Sequence, residues 1–176
     1  MDIRCIVTGQ NDSGKSVFIR TSPVKPVTLA LFPGYEFHRL WGSDSTPQLP
    51  SDGTTPTPPR YFPPIPGFRF GFFTIPPDTT TRIDRLNTAS AIEEIQQKLP
   101  GMLDVLERDH PGMHTTDTVD FDVVVSGEVV LELDDGAEVL LKAGDCVVQN
   151  GTRHAWHNRS SANCLIAVTL LGAQRK

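Results

Sequence analysis

The chain has 176 residues, 16 Lys and Arg against 21 Asp and Glu, and a formal net charge of −5. That length fits one ordinary domain. The charge balance excludes the clustered basic footprint of a nucleic-acid binder, and no stretch approaches the roughly 20 apolar residues of a membrane-spanning helix.

Strands lead the chain. Ile3–Val7 and Val17–Arg20 are rich in β-branched residues and flank the turn composition Asn-Asp-Ser-Gly-Lys; Thr28–Phe32 and Glu36–Trp41 follow. Thirteen of the 15 prolines lie between Pro23 and Pro77, so this half is read as short strands and extended loops. Its least regular part is Ser43–Pro66, where Tyr61 and Phe62 favour docking against the body. Phe68–Ile75 is the next strand. Ser90–Arg108 carries Ile92, Ile95, Leu99, Met102, Leu103 and Leu106 at helical spacing. Ser90 and Glu93 read as a capping box, and Pro100-Gly101 is expected to split the segment into two short helices. From Thr118 onward the pattern is β: Val119–Ser126, Glu128–Leu133, Glu138–Leu141, Cys146–Gln149, His154–Asn158 and Cys164–Leu171. Many short strands at even spacing indicate a sandwich or barrel.

The N-terminal MDIRCIVTG has no basic region followed by an apolar run, so no secretory signal is read there. Cys5, Cys146 and Cys164 are too scattered for a zinc knuckle or a disulfide framework, and the expected setting is reducing and cytoplasmic. Gly9 to Ser16 matches G-x-x-x-x-G-K-[ST] in every fixed position. A phosphate loop needs a helix directly after its Lys, to aim backbone N–H groups at the phosphates. Here Val17-Phe-Ile-Arg20 reads as a strand, so the segment is expected to be a hairpin turn and no nucleotide cofactor is expected.

Two further segments carry a family resemblance. His114-Thr-Thr116-Asp-Thr-Val-Asp120, running on to Gly127, and Gly144-Asp145 followed by Gly151-Thr-Arg-His154-Ala-Trp-His-Asn158, resemble the two motifs of cupins. His114 stands at the first His position, Thr116 replaces the second His, Asp120 replaces the usual Glu, and the G-x-x-H-x-x-x-N part is intact. The resemblance, to small single-domain cupins of the cupin-2 type, implies a mainly β jelly-roll barrel. On this reading residues 1–176 form one domain: N-terminal strands and Pro-rich loop over 1–80, a helical insert over 88–110, and the barrel core over 112–173. It also implies pairing into a homodimer, with Ile3–Val7 as a candidate exchange arm.

Two imidazoles and a carboxylate from separate strands are the donors a transition metal needs. His114, Asp120 and His154 are therefore the candidate ligands of Fe, Zn, Mn or Ni. Without metal, the same three serve as general acid–base groups. Strand alternation puts Asp120 and Asp122 on one face, either lining the lumen or standing outside in solvent, and puts Trp156 on the face of His154. Trp156, His38, Trp41, Arg69 and Thr116 are candidate substrate contacts, an Arg at the mouth being suited to a carboxylate. The leading expectation is a lyase or isomerase of an organic acid or an oxygenated aromatic or polyketide-like compound. The alternatives are a metal-dependent dioxygenase and a non-catalytic binding or sensory module.

Overall fold

The computed structural model describes residues 2–54, 57–80 and 89–176; residue 88, where the helical insert is expected to begin, lies outside them. The elements in chain order are β1 (Arg4–Gln10), β2 (Ser16–Pro23), β3 (Val27–Leu29), β4 (Phe32–Ser43), β5 (Phe68–Ile75), α1 (Ala89–Lys98), β6 (Thr118–Ser126), β7 (Glu128–Glu132), β8 (Glu138–Lys142), β9 (Cys146–Asn150), β10 (Ala155–His157) and β11 (Cys164–Gly172). Six strands form one antiparallel sheet in the order β3-β4-β5-β11-β6-β9, and β10-β7-β8 form a second. Together they make the expected mainly β jelly roll.

β1 and β2 pair as an antiparallel hairpin. Their turn is held by the Asn11 side-chain oxygen, which accepts from the backbone N–H of Ser13 and Lys15 at 3.1 and 3.0 Å, and Gly14 supplies the left-handed residue, φ 75°. Lys15 therefore leads into a strand, and the pattern Gly9–Ser16 is a turn.

Alternation decides which side chains reach the interior. On β6, Thr118, Asp120, Asp122 and Val124 are buried while Phe121, Val123 and Val125 face out. Ile75, Val124, Val129, Leu131, Leu141, Cys164 and Ile166 fill the space between the two sheets. Leu165 points to the other face of β11, where Ile3 of the N-terminal arm and Leu40 of β4 cover it.

The helical segment departs from expectation in its second half. α1 buries Ala91 and Ile95, and Ile95 and Leu99 pack on Leu29, Phe37 and Met102. Complete burial of Ile95 and Leu99 contributes about 2 kcal/mol each. Beyond Gly101, φ 91°, the chain runs in turns. Few residues remain after the Pro100-Gly101 break, too few to offset the cost of a new helical nucleus. Met102, Leu103 and Leu106 still pack on the same cluster, so the apolar spacing reports burial where it does not report helix. Ser90 stands inside α1, which begins at Ala89, and the residue before the helix lies outside the described residues. Thr28–Phe32 is likewise divided, with a turn between β3 and β4.

Two arginines hold the Pro-rich strap. Arg39 donates to the carbonyls of Pro59 and Arg60 at 3.0 and 3.1 Å, and also to that of Pro58. Arg69, 5% exposed, donates to the carbonyls of Arg60 and Ser43 at 2.9 Å each and pairs with Asp44 at 2.5 Å. The next two residues, Tyr61 and Phe62, are thereby laid on Phe37 and one another, with ring centroids 5.7 and 5.0 Å apart. Arg69→Ala removes the Arg69 donors to Ser43 and Asp44 and one of the two donors to the Arg60 carbonyl. It is expected to cost about 2–4 kcal/mol and to make the strap the first site of tryptic or subtilisin cleavage; unchanged cleavage kinetics would show that Arg69 does not hold it.

Candidate functional site

His114 and His154 are brought together by the backbone. Each donates its N–H to the other's carbonyl at 3.0 Å, a two-residue antiparallel bridge that sets the rings 4.1 Å apart at 51°. The loop bearing His114 is tied down by Arg153. Its guanidinium donates to both Glu107 oxygens at 2.6 and 2.8 Å and to Asp134 at 2.9 Å. Glu107 N–H in turn bonds the Met113 carbonyl at 2.9 Å.

Each imidazole has one nitrogen committed. His114 Nδ1 lies 3.0 Å from the Gly112 carbonyl and His154 Nδ1 lies 2.9 Å from that of Thr152. A carbonyl only accepts, so Nδ1 carries the proton and Nε2 is left as the acceptor in the neutral ring. Burial pushes the His154 pKa down to about 4, with His114 adding to the fall. Burial also lowers that of His114. Both rings are neutral at pH 7.

The two histidines open onto a cavity of about 150 Å³ that Asp120, Asp122 and Trp156 also line. Its walls are aromatic, from Tyr35, Phe37 and Phe73 on the sheet and Tyr61 and Phe62 on the strap, and Met102 and Leu106 close it from the segment after α1. Trp156 meets His154 and Phe73 edge-on at 5.9 and 6.2 Å. The carboxyls are interior, not solvated: Asp120 and Asp122 are each 5% exposed. Desolvation raises Asp120 to about 6, opposed by the Thr118 hydroxyl. It raises Asp122 to about 8, reinforced by the charge of Asp120. Asp120 Oδ1 is buried without a hydrogen-bond partner.

The structure therefore brings His114, Asp120, His154 and Trp156 to one cavity. It places the other sequence candidates elsewhere. Thr116 is buried and accepts from the Thr118 hydroxyl at 2.8 Å. His38, Trp41 and Arg69 border a separate hollow of about 20 Å³. His38 faces the Val24 carbonyl at 3.3 Å and Glu36 at 3.5 Å, and the Arg69 guanidinium is spent on the strap. Asp122, outside the set expected from sequence, also lines the cavity, and its i, i+2 spacing from Asp120 is the signal for it; Tyr61, expected only to dock, is a wall of the cavity.

Residues 103–170 match the family described as "Cupin domain". Residues 103–170 carry a cupin domain of the cupin-2 type. Over 93 residues it is 39% identical to the "Phomopsin biosynthesis cluster protein C'" of Diaporthe leptostromiformis, 49% of each chain being covered. Over 46 residues it is 39% identical to the "Cupin-domain-containing oxidoreductase virC" of Hypocrea virens, covering 26% of this chain and 24% of that one. The matched stretches thus span half or less of these relatives' length. A putative ethanolamine utilization protein from Salmonella typhimurium LT2 superposes with a TM-score of 0.46 at 12% identity, with 99% of both chains covered.

Cupins commonly bind divalent metals, and the cupin domain here offers the donor types for one. The donors do not converge. Among the described residues no group of three or more His, Cys, Asp or Glu side chains is gathered closely enough to hold a metal ion. His114 and His154 are paired, while Asp120 shares their cavity without joining them. Among the described residues, no helix is long and apolar enough to cross a membrane.

Proposed function

We propose that this cupin domain is a small-molecule lyase or isomerase that moves a proton within the aromatic cavity, on an organic acid or an oxygenated aromatic or polyketide-like compound. One observation carries the reading: two neutral imidazoles and two carboxyls with raised pKa share an apolar cavity. Groups tuned toward neutrality can accept or deliver a proton near pH 7. An imidazole Nε2 takes a proton from substrate carbon. The carboxyl pair, which retains a proton, delivers one to the substrate oxygen or leaving group, and the imidazolium then gives its proton up to the carboxylate, directly or through solvent, for the next turnover. The aromatic walls exclude water and hold a flat, apolar body. The relative named for a biosynthesis cluster supports a substrate of biosynthetic origin.

A metal-dependent oxygenase is the second reading. It is favoured by the unpartnered Asp120 Oδ1 in the cavity that the two histidines also line and by the relative named as an oxidoreductase.

The deciding experiment incubates the protein in D2O with a panel of ring-sized ketones, β-keto acids and hydroxy acids, and follows deuterium incorporation by NMR. Wild type is expected to exchange a carbon-bound proton, and His154→Ala to lose that exchange by about 10²-fold or more while retaining its circular dichroism. Exchange in no compound sinks the proton-transfer reading. Metal analysis of the same preparations separates the second reading, which requires near-stoichiometric metal that His154→Ala loses.

A further inference from the structure

Among the described residues, the polar side of this cavity presents acceptors and no cation. His114 Nδ1 and His154 Nδ1 donate to backbone carbonyls, so each ring leaves Nε2 as an acceptor, and Asp120 Oδ1 has no partner. Asp120 and Asp122 stand two residues apart on one face of β6, and among the described residues no Lys or Arg lines the cavity. The two nearby arginines are engaged elsewhere, with strap carbonyls and Asp44. A volume of about 150 Å³ matches a dry cavity that holds one benzene ring.

We infer that the cavity selects a ring-sized head group presenting hydrogen-bond donors, a phenolic hydroxyl or an ammonium, and rejects one presenting a carboxylate. The inference rests on the reading of this cavity as a small-molecule site, and it narrows the substrate class from an organic acid or oxygenated compound to a hydroxylated or aminated ring. A phenolic hydroxyl can donate its one proton to Asp120 Oδ1, whose unmet bond otherwise costs free energy, or to an imidazole Nε2, and an ammonium can serve several of these acceptors. An ammonium adds attraction to the carboxyl pair and to the faces of Tyr61 and Trp156. A carboxylate brings a third acid group beside two others with no cation to offset it, in a setting where charges are weakly screened.

The test compares phenol, benzylammonium and benzoate, three heads on one ring, by thermal shift and titration calorimetry on protein of measured metal content. Phenol or benzylammonium is expected to bind at least about tenfold tighter than benzoate. Asp120→Asn is expected to weaken benzylammonium while sparing phenol, which tells an ammonium site from a hydroxyl site. Long-range 15N–1H spectra should show Nε2 of both histidines unprotonated. Benzoate binding as tight as the other two overturns the inference. So does binding by none of the three, a protonated Nε2 in the neutral protein, or benzoate binding that appears with Mn²⁺ or Zn²⁺ and disappears with chelator. Failure of the proton-transfer reading is seen separately, as absent deuterium exchange with this preference intact.

Discussion

Asp122→Asn is expected to make the protein more stable at pH 8 and to abolish its turnover. The carboxyl is buried and its pKa is raised to about 8, by desolvation first and by the Asp120 charge second. Unfolded, it titrates near 3.8. The folded state therefore holds a proton that the unfolded state has released. Folding stability falls as pH rises from about 4 to about 8. An amide of the same shape removes this linkage, and the gain at pH 8 is on the order of 3 kcal/mol, or roughly 10 °C in melting temperature.

The histidines work in the opposite direction. His154 titrates near 6.5 unfolded and about 4 folded, so its contribution is present above 6.5 and lost as pH falls toward 4. Between those limits the two effects oppose one another. Above 6.5 only the carboxyl slope remains, and wild type should lose stability up to pH 8 while Asp122→Asn stays nearly flat. Denaturant unfolding at several pH values measures this directly. A falling limb in the variant equal to that of wild type would place the proton elsewhere. Turnover should follow the same groups, with a bell bounded by about 4, where His154 protonates, and about 8, where Asp122 ionises.

Asn158→Ala should be the most destabilising single change outside the cavity. Asn158 is 0% exposed. Its amide nitrogen donates to the carbonyls of Ile75 and Ala162, both at 2.8 Å. Its side-chain oxygen accepts from Ser160 N–H at 3.0 Å and from the Ser160 hydroxyl at 2.7 Å. Three of these bonds thus hold the turn between β10 and β11, and the fourth fastens it to the end of β5. Truncation strands the buried Ile75 carbonyl, opens a small void and releases the turn. About 3–5 kcal/mol is expected, read as a fall of roughly 10 °C in melting temperature. Asn158→Asp should be no better, because two of the lost bonds need a donor. A variant within 2 °C of wild type would assign the turn's stability to its neighbours. The last residue of G-x-x-H-x-x-x-N is on this account a structural fastener, while the His before it faces the cavity.

The strand pattern was readable because each strand has one buried face, so alternation in sequence is burial in space. Phe68–Ile75 is recovered residue for residue, and most other strands within one or two residues at each end. Helical spacing misled where burial came without helix: Met102, Leu103 and Leu106 reach the core from turns. The strand expected after Lys15 is present as β2, so Gly9–Ser16 is a hairpin turn.

The candidate site was legible only in part. A pair of histidines 40 positions apart on a familiar motif pointed to one place, and the structure puts them 4.1 Å apart. Strand parity could say that Asp120 and Asp122 share a face, but not which face. That depends on how β6 lies between β11 and β9. Arg69 and His38 carry the charge a substrate clamp needs, yet sequence cannot see that carbonyls 9 and 26 residues away claim the Arg69 guanidinium, or that His38 faces the N-terminal arm. By itself the sequence determined the β class, the barrel motif and the chemical types present, because these are local periodicities and identities. The tertiary structure alone decided which acids are buried and coupled, which arginines are spent on the strap, and which ring nitrogens remain as acceptors, because solvation and pairing depend on what the fold brings alongside.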